Sequence, residues 1–424
     1  MATLSYNFAQ TIDMETNQQN KDLASKKFKL TNRITSWLIP LLFLISAIFL
    51  QLSASNYPSL VEKYYHQTIY PYIAQFLSLV NKLIWFSLAE FILLVILIVL
   101  PGWLFWQIRK LYLKKSLAKD LILSSLWQLS TLTSVGLLFF LFLWGLNYQK
   151  QPLAQNLSLP SRKVDTKELL EVCQAFIEAT NECYREATPP TFYLANADKV
   201  FNDKTLTPKI AHSQIPITWQ KLNENIERSF QKEPLLNYLA KGSYGPAKAV
   251  YFSTFMSRFG ISGIFIPLTG EPNVNVAQVD CSIPFTLAHE KAHQRGFALE
   301  DEANFLALLI CIKSEDSYSR YSGYLMATIH LLNTLYLVAP EHYQSTIEKL
   351  STGPRTDLKA MSHFWNYYSG TLSKVSEKVN HSYLKANRVQ SGIKNYNEAV
   401  DLIISYYFIH LSSSPKKNNL SDYK

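Results

Sequence analysis

The sequence predicts a mainly α protein, with three N-terminal transmembrane helices followed by a mostly helical domain that carries a small β-sheet. Three observations predict it. Three long runs in the N-terminal third are almost free of charge. Most of the remaining chain repeats apolar residues at helical spacing. One stretch, 249–280, mixes β-branched and aromatic residues with Gly, Pro and Asn turn formers.

Composition sets the bounds. Of 424 residues, 48% are hydrophobic and only 17% charged, with a formal net charge of +9. A basic balance can serve nucleic acid. Here the lysines and arginines flank the apolar runs, which is the pattern of membrane orientation. The four cysteines, Cys173, Cys183, Cys281 and Cys311, contain no CxxC pair, which excludes that kind of zinc site. Cys173 and Cys183 fall about 15 Å apart on one helix, too far to bridge, so buried free thiols are expected.

Residues 1–33 read as a cytoplasmic tail and 34–146 as a membrane anchor. The spans are "ITSWLIPLLFLISAIFLQL" (34–52), "LIWFSLAEFILLVILIVLPGWLFW" (83–106) and "LILSSLWQLSTLTSVGLLFFLFLWGL" (121–146). Trp103, Trp106 and Trp144 near their ends suit the interfacial belt. The first run starts late and precedes no small-residue cleavage site, so it is not a cleaved signal. Lys26, Lys27, Lys29 and Arg33 precede the first span; Arg109, Lys110, Lys114, Lys115 and Lys119 join the second to the third. The positive-inside rule puts both flanks in the cytoplasm and everything after about residue 147 outside it. Glu90, inside the second run, is a candidate for function. The competing role is a carboxylate at the outer interface or bonded to a neighbouring helix.

Residues 147–412 read as the extracytoplasmic domain and 413–424 as a disordered polar tail. "SGYLMATIHLLNTLYLVAP" is interrupted by Ser322, His330 and Asn333 and reads as a buried helix, not a fourth span. "NEAVDLIISYYFIHL" is too short to cross a bilayer.

The chemistry concentrates in "TLAHEKAHQRGFALEDEANFLALL", residues 286–309. His289 and His293 are four apart and share one helix face. That spacing lets two imidazoles hold one zinc ion, Zn(2+), at about 2.0–2.1 Å. Glu290 is placed as general base toward the metal's water and as proton donor to the leaving amine. Ser282 can cap this helix and Pro284 suits its first turn. Gly296 can end it in the left-handed conformation, so that a second helix returns across the metal. The third ligand is expected from that helix's first turn: Glu300 first, Glu302 as the alternate. Asn304 would hydrogen-bond a ligand histidine, and water would take the fourth position. The competing reading is a charged, solvated helix.

At these residues the chain resembles the zincin metallopeptidases of the glutamate-ligand, or gluzincin-like, branch. In the membrane-embedded prenyl-protein-protease and heat-shock protease families, a Glu-x-x-Ala-Asp element follows HExxH and its glutamate binds zinc. "EDEAN" matches as Glu300, Ala303 and Asn304, with Asn in place of Asp and a shorter gap after HExxH. The chain is also similar to a family of uncharacterised bacterial multi-pass membrane proteins, a domain of unknown function. The matching stretches are "GISGIFIPLTGEPNVN", "PFTLAHEKAHQRGFALEDEANFLA", "SRYSGYL" and "VNHSYLKANRVQSGIKNYNEAVDLI". That resemblance covers most of residues 150–410 and the N-terminal spans. "KANRVQSGIKNY" (385–396) does not occur in ordinary zincins and has no assigned role.

The resemblance implies a zincin-like domain with a small β-sheet beside the HExxH helix, and a membrane-anchored zinc metallopeptidase acting outside the cytoplasm. Zincins often lay substrate along an extended edge strand beside the motif helix. "GIFIPLTG" (263–270) is the candidate edge, against an ordinary core strand. Support for the oxyanion would come from Tyr321, Tyr324, Arg320, His330 or His363, with Tyr321 first. Glu271, Asn273 and Asn275 line the cleft or only make the turn. The alternatives are another zinc amide hydrolase with a cell-wall substrate, and a non-catalytic membrane protein with a structural or vestigial zinc site. The expected partners are the bilayer and a peptide or protein substrate, not nucleic acid.

Overall fold

A computed structural model describes residues 37–113, 118–159, 165–187, 217–236, 244–387 and 395–412. The tails 1–33 and 413–424, and residues 388–394 of the unexplained 385–396 segment, lie outside the described residues. The chain divides into two compact units: Met1–Ser53 with Leu100–Phe142, and Ala54–Val99 with Leu143–Lys424.

Three helices are long and apolar enough to cross a membrane: α1 (Trp37–Asn56), the Leu88–Lys110 part of the helix Leu88–Leu113, and the Ile122–Leu143 part of the helix Ala118–Leu143. The latter two helices are α3 and α4, with α2 (Tyr70–Leu83) between α1 and α3. In the first unit, apolar side chains such as Phe49 and Leu132 face outward. Gln107 there donates to Ser125 Oγ at 3.2 Å, a polar contact between two apolar helices.

The second span starts at Leu88, not at 83 as the apolar run suggests. Ser87 Oγ accepts a hydrogen bond from Glu90 N at 3.1 Å and begins a new helix there. Leu83 ends α2, and residues 84–87 connect the two helices. Both oxygens of Glu271 meet two further free amides of that helix end, Leu88 N at 3.0 Å and Ala89 N at 2.9 Å. Glu90 reaches outward instead and accepts from Tyr251 N and Phe252 N, at 3.0 and 2.9 Å. Its role is therefore the structural one, at the end of the span.

The second unit is built on helices α5 (Thr166–Ala187), α6 (Trp219–Lys232), α7 (Ile283–Gln294), α8 (Glu300–Ile312), α9 (Ser317–Val338) and α12 (Asn395–Tyr406). On the flank are α10 (Thr352–Tyr368) and α11 (Thr371–Ala386). α5 buries Leu169, Val172, Cys173, Phe176 and Ile177, one helical stripe. α8 is buried on every side from Glu302 to Cys311, as an apolar helix at the centre of a core must be. α9 belongs to this core through Ala327, Leu331 and Leu335, and its first turn is capped by Asp316, which accepts from Ser319 N at 2.8 Å. α12 joins it through Val400, Ile403 and Ile404. All four cysteines are free and buried.

The sheet has order β1-β3-β2, with β1 Lys248–Ala249, β2 Gly263–Ile266 and β3 Glu271–Val274. β1 runs parallel to β3, and β2 antiparallel, with Ile264 opposite Asn273. β3 is central and wholly buried. Among the described residues β2 pairs with β3 alone and so is an edge strand. Glu271, Asn273 and Asn275 make turn and anchor bonds and do not line a cleft. Ser87 Oγ donates to Asn273 Oδ1 at 2.6 Å, and Asn275 Nδ2 donates to Ser257 Oγ and Ile261 O, both at 2.9 Å.

Candidate metal centre

α7 begins with Pro284 in its first turn, where a missing amide hydrogen costs nothing. Ser282 stands at the N-cap position, but its hydroxyl donates to Val279 O (2.6 Å) and Gln278 Oε1 (3.0 Å). It does not cap. The first-turn amide of Phe285 is met by Ser322 Oγ of α9 at 3.1 Å instead.

Two faces of α7 carry charge. Lys291 and Arg295 hold Glu227 of α6, at 2.7 and 2.8 Å. The Arg295 guanidinium also lies over the rings of Phe230 and Tyr244, at 4.0 and 4.3 Å. Burial alone would raise the Glu227 carboxyl; Arg295 and Lys291 outweigh it and hold it down at about 2. This anchor is absent from the sequence reading. Its signal is the same four-residue spacing as the histidines, about 200° around the helix from them.

At its end, Gly296 has φ +90°. Gly296 N donates to His293 O at 2.8 Å and Phe297 N to Ala292 O at 3.3 Å, so the last carbonyls are satisfied. A Cβ at 296 would stand 2.7 Å from Tyr70 Cε1, so both conformation and space require glycine. The turn carries the Phe297 carbonyl to His293 Nδ1, at 2.7 Å. A carbonyl only accepts, so Nδ1 bears a hydrogen and Nε2 is the nitrogen turned to the site.

α8 then returns across α7. His289 Nε2 lies 3.0 Å from His293 Nε2 and 3.2 Å from Glu300 Oε2, and the third separation, His293 Nε2 to Glu300 Oε2, is 3.7 Å. Ligand atoms placed tetrahedrally at 2.0–2.1 Å from a zinc ion lie about 3.3 Å apart. The observed separations straddle that value. Two imidazole nitrogens and one carboxylate oxygen are a donor set that zinc takes. The side chains are mostly buried, with 12%, 10% and 14% exposure. Burial disfavours charge on His293, but the neighbouring Glu300 carboxylate outweighs it and raises the imidazole to about 9. Burial likewise opposes ionisation of Glu300, and the two histidines hold its carboxyl far below the usual carboxylate range.

Residues 65–404 match the family described as a protein of unknown function, DUF3810. The chain belongs to the DUF3810 family. The matched span includes the second and third membrane-crossing helices, the sheet, both helices of the cluster and most of α12. No curated protein and no solved structure matches the chain.

In this DUF3810 chain Glu290 is 3% exposed, and burial raises its carboxyl to about 7, against the pull of His289 and His293. Its Oε2 is buried without a hydrogen-bond partner, which costs free energy. Gly263 of β2 stands directly against it. A Cβ there would lie 2.5 Å from Glu290 Oε1 and 2.7 Å from Cγ. The edge strand therefore packs onto the HExxH glutamate because residue 263 has no side chain.

Three sequence expectations are corrected. Glu302 does not join the cluster. It lies about 200° around α8 from Glu300, where it pairs with Lys150 Nζ (2.7 Å) and accepts from Leu153 N (2.6 Å). Asn304 makes no hydrogen bond to either histidine, and its Nδ2 is buried without a partner. Four residues carry it about 6 Å along the helix past Glu300, and Phe297 O takes the role assigned to it. Tyr321 donates to Asp357 Oδ2 at 2.5 Å, inside a core cluster with Cys281 and Leu325. It is committed there and does not face the donors. The Tyr148 hydroxyl donates to that of Tyr383 at 3.2 Å. Burial raises both, with the charge of Glu300 among the lesser causes. His330 also feels the site: burial and then the charge of His289 lower it to about 4. Trp144 forms a wall, 4.9 Å from the Phe265 ring and 6.2 Å from that of His293.

Proposed function

We propose that this protein is a membrane-anchored zinc-dependent peptidase acting outside the cytoplasm. The observation that carries the reading is the convergence of His289, His293 and Glu300 on one point, with the buried Glu290 carboxylate on the same helix. A bound zinc ion would supply the Lewis acid that acidifies a water and polarises a scissile carbonyl. Glu290 accepts the proton of the attacking water and returns it to the leaving amine nitrogen. The Phe297 carbonyl keeps His293 in the tautomer that offers Nε2. The free edge of β2 receives an extended peptide by strand addition. Tyr148 and Tyr383, rather than Tyr321, bear on the negative charge that develops at the carbonyl oxygen.

The basic flanks of the spans support the orientation. Three crossings put residues 54–87 and the described residues from Trp144 onward on one side, in keeping with their grouping in one compact unit. A topology reporter fused after Lys424 reads as non-cytoplasmic on this account; a cytoplasmic signal overturns it. The activity is tested with purified protein against a panel of extended peptides and cell-wall amides. Peptide turnover is expected, lost on chelation and restored by zinc. Turnover that persists under chelation removes the metal from the mechanism, and turnover confined to cell-wall amides replaces the substrate class.

A further inference from the structure

The N-terminal end of α3 fixes where the lipid interface meets the second unit. The membrane-crossing stretch begins at Leu88. Glu90 lies about 3 Å further along the helix, and its carboxylate holds the backbone of Tyr251 and Phe252. Those two residues therefore lie level with the first turn of the span. Their side chains, and that of Phe255 in the short helix Ser253–Arg258, are not covered by protein: Tyr251 is 87% exposed and Phe255 56%. Trp85, three residues before the span, is 89% exposed. Leu268, in the β2–β3 turn, is 55% exposed, and Glu271 at the far end of that turn caps Leu88 and Ala89. Aromatic residues bared at the level where a span starts are what the bilayer interface takes up.

We propose that the Tyr251–Phe255 loop and the β2–β3 turn are immersed in the lipid interface, and that the polypeptide acted on is itself membrane-anchored. The occupant of this apolar face is lipid because the face is continuous with the start of a crossing helix. β2 is the edge strand against Glu290 and belongs to the same hairpin as Leu268. A chain added to β2 would run along the bilayer surface, within reach of a substrate leaving its own membrane anchor. The substrate half of the inference rests on the peptidase reading; the lipid-facing surface does not.

The test uses the full chain in proteoliposomes. The native thiols are buried, so nitroxide labels go to an introduced cysteine: Phe255→Cys or Leu268→Cys, with Val95→Cys as lipid reference and Gln344→Cys as aqueous reference. The expected result is that labels at 255 and 268 collide more with oxygen than with a water-soluble nickel chelate, as at 95. Labels at both positions that behave like 344 overturn the proposal. Labels shielded from both reagents also overturn it and assign the face to a second copy. In the same vesicles, one peptide is offered free and attached to a lipid anchor. Cleavage of the anchored form at least tenfold faster, with Phe255→Glu removing that advantage and sparing the free peptide, is expected. Equal rates overturn the substrate class. Lipid-immersed labels with no turnover of either peptide uphold the surface and count against the peptidase reading.

Discussion

Glu290→Gln is expected to keep its zinc and to lose about 10²–10⁴-fold in kcat/KM, the usual contribution of a positioned general base. The substitution preserves shape and removes the proton acceptor. His289, His293 and Glu300 are untouched, so the metal content measured on the same preparation should not change. Gly263→Ala approaches the same group from the other side. Its Cβ cannot coexist with the present position of Glu290, so the carboxylate must move. Lower kcat with zinc retained is expected. Turnover surviving Glu290→Gln removes Glu290 as the base. Full activity in Gly263→Ala means that β2 does not set its position.

The second large effect is on stability. The Lys150–Glu302 pair is enclosed, with side-chain exposures of 1% and 2%, and ties the segment after α4 to the first turn of α8. Removing one partner from a buried pair strands the other charge and costs about 3–5 kcal/mol. Glu302→Ala also leaves the Leu153 amide without its acceptor. Unfolding in detergent micelles should show that loss, while zinc bound per folded chain stays constant. Replacing both partners together, with Lys150→Met and Glu302→Leu, should recover much of it, because no charge is stranded. A Glu302→Ala protein of normal stability that has lost its zinc would instead make Glu302 the ligand.

What could be read in advance follows from the range of the interaction. The spans, the HExxH face and the glycine turn are local patterns, set within one or two helical turns, and Glu300 follows because Gly296 sends α8 back over α7. The terminus of α3 was not legible. Glu90 and Glu271 are acids whose partners lie far away along the chain, and an acid in an apolar run looks the same whether it caps a distant loop or lines a pathway. Glu302 was ambiguous for a related reason: two acids in one turn are equivalent until Lys150 is known to face one of them. Tyr321 failed because many downstream hydroxyls were available, and only packing shows that this one is committed to Asp357. The Phe297 carbonyl carries no side-chain signature at all, although the Schellman-type turn at Gly296 predicts where it points.

The most direct measurement is zinc-edge X-ray absorption on the purified full-length protein, paired with metal content. The account predicts about one zinc per chain, with only nitrogen and oxygen donors at about 2.0–2.2 Å, imidazoles among them. It further predicts loss of the metal in His289→Ala, His293→Ala and Glu300→Ala, and retention in Glu302→Ala. A protein that binds no zinc, a site with sulfur donors at about 2.3 Å, or a site indifferent to Glu300→Ala would contradict it.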